Sequence, residues 1–148
     1  MMKKVIFPSF LFLLPFFASA QVINCKVTEV LDGNTLKCET QRQMQLTITL
    51  QQIAAPELKQ SYGPHAKAFL ASLVSDRKIK VMTKNSIKAK RIKGTVFSFG
   101  QDINLEMVRS GMARYTPKPA KSAEYQQAES LAKKTGQGQW SQKKASAL

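Results

Sequence analysis

Apolar and polar residues alternate along three segments near the start of the chain, which is the pattern of half-buried antiparallel strands. The turn Asp32-Gly33-Asn34 separates the first two segments. It suits a sharp reversal because Gly accepts positive φ and Asp and Asn tolerate it. We therefore predict a hairpin followed by a third strand. The predicted inward residues are Ile23, Cys25, Val27, Leu36, Cys38, Met44, Leu46, Ile48 and Leu50.

The rest of the chain predicts a helix, two strands and two further helices. Pro64 suits the first turn of the first helix, and Asp102 or Asn104 suits the cap of the second. Strands are predicted over Lys78–Thr83 and over residues 94–99, and Trp140 is expected to hold the tail against the body. This order is typical of an α+β domain, a five-stranded OB-type barrel with about three packed helices. The predicted apolar stripes of the helices are Ala66, Phe69, Leu70, Leu73 and Val74, then Ile103, Met107, Val108 and Met112, then Tyr125, Ala128, Leu131 and Ala132.

Residues 1–20 have the pattern of a signal peptide, which leaves residues 21–148 as one domain. Lys3 and Lys4 precede an apolar run over residues 5–17, and Ala18-Ser19-Ala20 suits cleavage before Gln21. The alternative is an uncleaved anchor, although the run is short for a membrane span. We expect a secreted or periplasmic protein that begins at Gln21 and has no transmembrane segment.

The charge is strongly positive. The formal net charge is +14, and the mature chain carries +12 because two basic residues precede Gln21. Such a charge attracts polyanions, although it also favours solubility alone. The most basic stretch holds Lys84, Lys88, Lys90, Arg91 and Lys93. It is either a solvated loop or a rim that contacts phosphates.

The two cysteines, Cys25 and Cys38, lie on the inward face of neighbouring predicted strands. In an oxidising compartment this favours a disulfide, and the alternative is two free buried thiols. A two-residue turn would place Cys25 opposite Thr40. We expect a diagonal pair to be too distant for a bond, so a bulge or a shifted turn is needed. His65 is the only histidine, which excludes a Cys/His metal spacing and suggests a surface role.

Three motifs carry a resemblance to a known family. DGNT at residues 32–35, IAAPE at 53–57 and YGPHAKAF at 62–69 resemble the staphylococcal nuclease (thermonuclease) family. The resemblance continues through the interval from Arg91 to Gly100 and through Asn104, Gly111 and Trp140. It implies the barrel predicted above and Ca²⁺-dependent hydrolysis of phosphodiesters in DNA or RNA.

The resemblance also implies a set of site residues. Two Asp side chains and a Thr carbonyl would hold Ca²⁺, a Glu would act on the attacking water and two Arg would clamp the phosphate. Glu57 and Arg91 stand at family catalytic positions, and Asp32 stands at a supporting position. Glu57 could instead accept backbone N–H groups at its corner.

Other family positions are substituted. Asn34 replaces the second Asp of the turn, Ala54 replaces the Asp of the corner, Ala55 replaces the Thr and Thr49 replaces the strand Arg. Losing one oriented charge donor costs about 10²–10³ in rate. Because ligand charge sets Ca²⁺ affinity, the cofactor that the resemblance implies is expected to bind weakly or not at all, with Asn34 a degenerate ligand.

The sequence therefore predicts a domain that binds nucleic acid through a basic face, with hydrolysis weak or lost. The predicted phosphate contacts are Lys84, Lys88, Lys90 and Lys93. Phe97, Phe99, Tyr62 and Tyr115 are candidates for stacking on bases, although most are expected in the core. Two alternatives remain: an active secreted endonuclease with a remodelled site, and a binding module for a protein or an anionic envelope component. The oligomeric state is not indicated.

Overall fold

The computed structural model of the protein describes residues 2–4, 15 and 19–141. Most of the predicted signal peptide, including its apolar run, lies outside the described residues. Within them, no helix is long and apolar enough to cross a membrane.

Five strands form the predicted closed barrel. They are β1 (Gln21–Val30), β2 (Thr35–Thr40), β3 (Gln45–Leu50), β5 (Lys78–Thr83) and β6 (Arg91–Ser98), with the short β4 (Ile53–Ala54) following β3. The sheet order is β3-β2-β1-β5-β6, and a parallel pairing between β3 and β6 closes the ring. A two-residue strand, β7 (Gln101–Asp102), pairs with β6, and β8 (Arg114–Tyr115) pairs with β4. The OB-type α+β fold is confirmed.

Three helices pack around the barrel: α1 (Gly63–Val74), α2 (Ile103–Arg109) and α3 (Ala123–Thr135). Short 3₁₀ turns cover Ile87–Ala89 and Gly138–Trp140. The cap of α2 is Asp102, whose Oδ1 accepts a hydrogen bond from the N–H of Leu105 at 2.9 Å. The buried Trp140 confirms the predicted anchor of the tail. The prediction for Leu131 is wrong, because 57% of this residue is exposed on the outer side of α3.

The core confirms the inward faces predicted for the first three strands and for β5. The largest side chains that are almost fully buried include Leu36, Leu46, Ile48, Leu50, Leu70 and Val81. Met44 precedes β3 and is only partly buried. Period-two burial along each strand therefore fixes which side chains point out of the barrel.

Strand β6 begins at Arg91, three residues before the predicted start at Gly94. Ile92 is 1% exposed and extends the inward series, while Arg91 and Lys93 point outward. Pairing with β3 adds backbone hydrogen bonds over this stretch. The end of the basic run is therefore strand and not loop.

The Cys25–Cys38 disulfide is confirmed. Cys25 lies opposite Thr40, and Cys38 lies opposite Val27, so the pair is diagonal. A bulge between Val27 and Glu29 is present as predicted, but it does not bring the two cysteines opposite each other. Their Cα atoms are nevertheless 5.6 Å apart, within the usual range for a disulfide. The expectation that a diagonal pair is too distant was wrong, because strand twist brings one set of diagonal neighbours closer.

Gly33 is required at the first turn for a reason other than the one predicted. It does not adopt the positive φ expected of it. A Cβ at this position would instead lie 2.6 Å from the Cβ of Ala66 and 2.8 Å from the Cβ of Ala55. Both separations are far below van der Waals contact, so Gly33 allows a close approach between the turn and its neighbours.

Candidate nucleic-acid site

The three motifs of the sequence meet at one end of the barrel. The close approach at Gly33 joins the β1–β2 turn to Ala55 in the corner after β4 and to Ala66 in α1. Within the turn, the N–H of Asn34 donates to Oδ1 of Asp32 at 2.7 Å. The N–H of Leu50 donates to the carbonyl of Asn34 at 2.9 Å, which ties the turn to the end of β3. The fold thus brings the turn together with two segments that follow it by more than twenty residues.

A groove of about 960 Å³ opens beside this junction, and we call it the site groove. Thr49 lies at its wall, in register with Thr35 on one neighbouring strand and with Lys93 on the other. Lys93 therefore lies directly beside Thr49, the position at which the family resemblance implies an Arg. The residues lining the site groove also include Asn34, Gln51, Gln52, Lys84, Asn85, Asp102, Lys118 and Tyr125.

The site groove is electropositive. Lys84, Lys93 and Lys118 line it, and none of them forms an ion pair within the described part of the chain. The one acidic residue in the lining, Asp102, accepts hydrogen bonds from the Tyr125 hydroxyl at 2.8 and 3.0 Å in addition to the helix cap. Three uncompensated cations around one groove favour an anionic ligand.

Tyr125 lines the site groove, and its hydroxyl donates a hydrogen bond to the carboxylate of Asp102. Burial of the ring, and then the Asp102 charge, raise the pKa of the phenol far above its ordinary value. The phenol therefore stays protonated at any physiological pH. It orients Asp102 and supplies no acid or base for chemistry in the groove.

Local hydrogen bonds fix the position of the loop that carries Lys84. The Thr83 hydroxyl donates to the carbonyl of Lys93 at 2.6 Å and accepts from the N–H of Asn85 at 2.9 Å. Oδ1 of Asn85 accepts from the N–H of Lys93 at 2.8 Å. This closed set holds the backbones of Lys84 and Lys93 beside each other.

A buried amide supports the groove from below. Asn104 at the start of α2 accepts from the N–H of Val96 at 3.0 Å. Its Nδ2 donates to the carbonyls of Gln51 at 2.9 Å and Gly94 at 3.1 Å. One fully buried side chain therefore joins α2 to the end of β3 and to β6, and these two strands contribute residues to the groove wall.

The two positions that the family resemblance marks as catalytic do not line the site groove. Glu57 is exposed, and its carboxylate has no hydrogen-bond or ion-pair partner among the described residues. The alternative in which it accepts backbone N–H groups at the corner is therefore not seen. Arg91 is exposed at the start of β6, opposite Thr47, also without an ion pair in the described part.

The predicted phosphate contacts fall into two groups. Lys84 and Lys93 line the site groove. Lys88 lies in the 3₁₀ turn and Lys90 at its end, with φ of 57°, and neither lines the groove. Lys118 was missed, because it lies in a loop between two prolines where no periodic pattern points to a site.

The residues at the family metal position do not fit a Ca²⁺ site. Asn34 offers a neutral oxygen, which is buried without a hydrogen-bond partner in the described structure. Ala54 offers no side-chain oxygen, and Ala55 offers only its carbonyl. No group of three or more His, Cys, Asp and Glu side chains that could hold a metal lies within the described ranges. Because Ca²⁺ takes six to eight oxygens, with carboxylates prominent among them, this set is too small and carries too little charge.

The turn, the corner and the first helix of this OB-type barrel, which carry the three motifs of the family resemblance, meet beside a basic groove. The chain belongs to the staphylococcal nuclease family: the family model described as "Staphylococcal nuclease homologue" matches residues 47–142.

Comparison with curated proteins gives the same family. The chain is 31% identical over 140 residues to an "Uncharacterized endonuclease" of Haemophilus influenzae, an alignment that covers 93% of this chain and 79% of the relative. It is 34% identical over 113 residues to an "Uncharacterized endonuclease" of Escherichia coli, which covers 76% and 72% of the two chains. It is 33% identical over 128 residues to a "Micrococcal nuclease" of Shigella flexneri, which covers 78% and 72%.

Proposed function

We propose that this protein binds nucleic acid in the site groove and that its phosphodiester hydrolysis is weak or lost. The observation that carries the proposal is the trio Lys84, Lys93 and Lys118, cations without ion-pair partners among the described residues, around Thr49 and Asn34. Phosphate groups would meet these lysines where the family resemblance expects a substrate phosphate. Membership of a nuclease family supports nucleic acid over other polyanions.

The substitutions support loss of rate more than loss of binding. A Thr at position 49 cannot provide the two-donor fork with which Arg orients and stabilises a phosphate. Lys93 beside it supplies charge without that geometry. Charge is sufficient for affinity, whereas the transition state requires donors aimed at its developing charge.

The proposal includes export to an oxidising compartment, with the mature chain beginning at Gln21. The support is the Cys25–Cys38 disulfide, since disulfides persist mainly outside the reducing cytosol. Sequencing the N-terminus of the protein recovered from the periplasm or medium tests this. A cytosolic protein that retains Met1 would contradict it.

The proposed binding is tested with protein purified from cells that express the full chain. Labelled single- and double-stranded DNA and RNA are titrated in EDTA, with heparin as a competing polyanion. We expect Lys84→Ala and Lys93→Ala each to weaken binding and to reduce the slope of log K against log salt by about 0.7–0.9. Lys134→Ala, which removes an exposed cation from α3 outside the site groove, is the matched control. Equal losses in all three variants, or heparin binding that is tighter than nucleic acid binding, would contradict the proposal and favour another anionic partner.

A second candidate function is metal-dependent cleavage by a remodelled site. It is favoured by the exposed Glu57 and Arg91, which keep the family residue types and have no ion-pair partners in the described structure. The same substrates are incubated with Ca²⁺, Mg²⁺, Mn²⁺ or EDTA. Cleavage that requires metal and disappears in Glu57→Gln would establish this function. Cleavage that remains in Glu57→Gln would indicate a contaminating nuclease.

A further inference from the structure

A second groove, of about 850 Å³, lies across the outer face of β1 and β5 and reaches the β6–β7 turn. We call it the outer groove. It shares Met82 and Phe97 with the site groove, so the two grooves form one continuous surface. None of the catalytic or metal positions of the family resemblance lines the outer groove.

The outer groove is also electropositive. Lys26 and Lys78 are neighbours across β1 and β5, and Lys80 lies opposite Phe97 on β6. None of these lysines forms an ion pair in the described structure. The one acidic residue in the lining, Glu39, accepts a hydrogen bond from the Gln45 side chain. The surface is therefore complementary to an anionic partner.

An exposed aromatic ring stands at the far end of the outer groove. Phe99 is 87% exposed, unlike the core position that was expected for most aromatic residues. It occupies the β6–β7 turn with φ of 50°, followed by Gly100 with φ of 76°. This is an unfavourable conformation for a bulky residue, where Asn or Gly is usual. The Arg77 guanidinium lies 5.1 Å from the centre of the ring.

We propose that the outer groove binds the continuation of a single-stranded nucleic acid held in the site groove, with Phe99 stacking on a base. The inference rests on the proposed function. Lys78 and Lys80 would follow the phosphates, while Arg77 and Phe99 present flat surfaces to the bases. The partner is single-stranded because the faces of its bases must be free to meet the ring, and a duplex hides them.

Length-dependent binding by the full chain tests the inference. Labelled oligothymidylates of about 4 and about 16 nucleotides, the limits of OB-fold site sizes, are titrated in EDTA. Phe99→Leu should weaken binding of the longer probe by about 5- to 150-fold, which is the usual loss when a base-stacking ring is removed. Lys78→Ala with Lys80→Ala should reduce its salt slope by about 1.4. Both variants should leave the affinity for the short probe nearly unchanged.

A substituted ring gives an independent signal of stacking. Phe99→Trp should keep the affinity for the longer probe, and its added emission should be quenched when that probe binds. Circular dichroism and the thermal midpoint confirm that each variant is folded. Quenching by the longer probe with retained affinity supports stacking at Phe99.

Different outcomes would overturn binding in the outer groove and binding in the site groove. If Lys93→Ala weakens both probes while Phe99→Leu binds the longer probe normally, the inference is overturned and the proposed function stands. If neither probe binds the unmodified protein, both are overturned. Equal loss of double-stranded and single-stranded binding in Phe99→Leu would also contradict the inference. So would a defect of that variant confined to vesicles of anionic phospholipid, which would identify the ring as a lipid contact.

Discussion

Restoring three family residues in this barrel should restore catalysis. The changes are Asn34→Asp, Ala54→Asp and Thr49→Arg, combined in one chain. Thr49 lines the site groove beside Lys93, so an Arg side chain there has a route into the groove. Ala54 is exposed, so an Asp side chain fits without displacing the core. The side-chain oxygen of Asn34 is buried and has no hydrogen-bond partner in the described structure. In Asn34→Asp a carboxylate oxygen would take its place, and a bound cation would be its partner.

The size of the effect follows from the roles of these residues. One oriented charge donor accounts for about 10²–10³ in rate, and the two carboxylates return the anionic ligands that Ca²⁺ requires. Because groups that act as a unit are not additive, the contributions are not multiplied. We therefore expect a Ca²⁺-dependent increase of at least about 10²-fold over the unmodified protein.

Cleavage of a fluorogenic oligonucleotide in Ca²⁺ and in EDTA measures the gain. The matched control replaces Thr49→Arg with Thr47→Arg, which adds the same cation two residues earlier on the same face of β3. Adding Glu57→Gln to the triple variant should abolish the gain. Restored catalysis is refuted if the unmodified protein already cleaves as fast in Ca²⁺ as the triple variant does. It is also refuted if the triple variant is folded and binds Ca²⁺ by calorimetry but cleaves no faster.

Three further changes test the fold and the outer groove. Reducing the Cys25–Cys38 bond, which closes a separation of 13 residues, should lower the free energy of unfolding by about 3 kcal/mol. If reductant lowers the urea midpoint of the Cys25→Ala/Cys38→Ala double variant by as much as it lowers that of the unmodified protein, the prediction is contradicted. Asn104→Leu leaves three backbone groups unpaired and should cost at least about 3 kcal/mol in urea unfolding, whereas the exposed Asn24→Leu should cost almost nothing; equal effects would contradict the supporting role. Phe99→Asn should raise stability by about 1 kcal/mol by relieving the left-handed backbone while weakening binding of the longer probe, and an unchanged or lower thermal midpoint would contradict the strain argument.

The barrel was predictable because burial in its strands follows a period of two. Leu46, Ile48 and Leu50 alternate with polar residues, and this pattern assigns each side chain to a face without knowledge of the neighbouring strands. The start of β6 was not predictable in the same way. Arg91 and Lys93 are outward residues of a strand, and an outward cation has the same local signature as a cation in a solvated loop. Pairing with β3, which is distant in sequence, decided between them.

Short sequence motifs predicted part of the candidate site. The rest depends on tertiary contacts and could not be predicted. The resemblance located Asn34 and Thr49, and both line the site groove. Lys118 reaches the same groove from a loop after β8, which no spacing along the chain indicates. The role of Gly33 depended on the approach of α1, which turn chemistry alone does not contain.

The diagonal disulfide excludes a one-residue slip of its hairpin. Successive side chains of a strand point to opposite faces, so a slip of one residue between β1 and β2 would move one thiol to the other side of the sheet. Oxidation of the two thiols therefore selects chains in which β1 and β2 have not slipped by one residue. Closure of the barrel between β3 and β6 needs contacts between residues more than forty positions apart, and such contacts form slowly. Once formed, the disulfide keeps β1 and β2 aligned, whether or not β3 and β6 have yet paired.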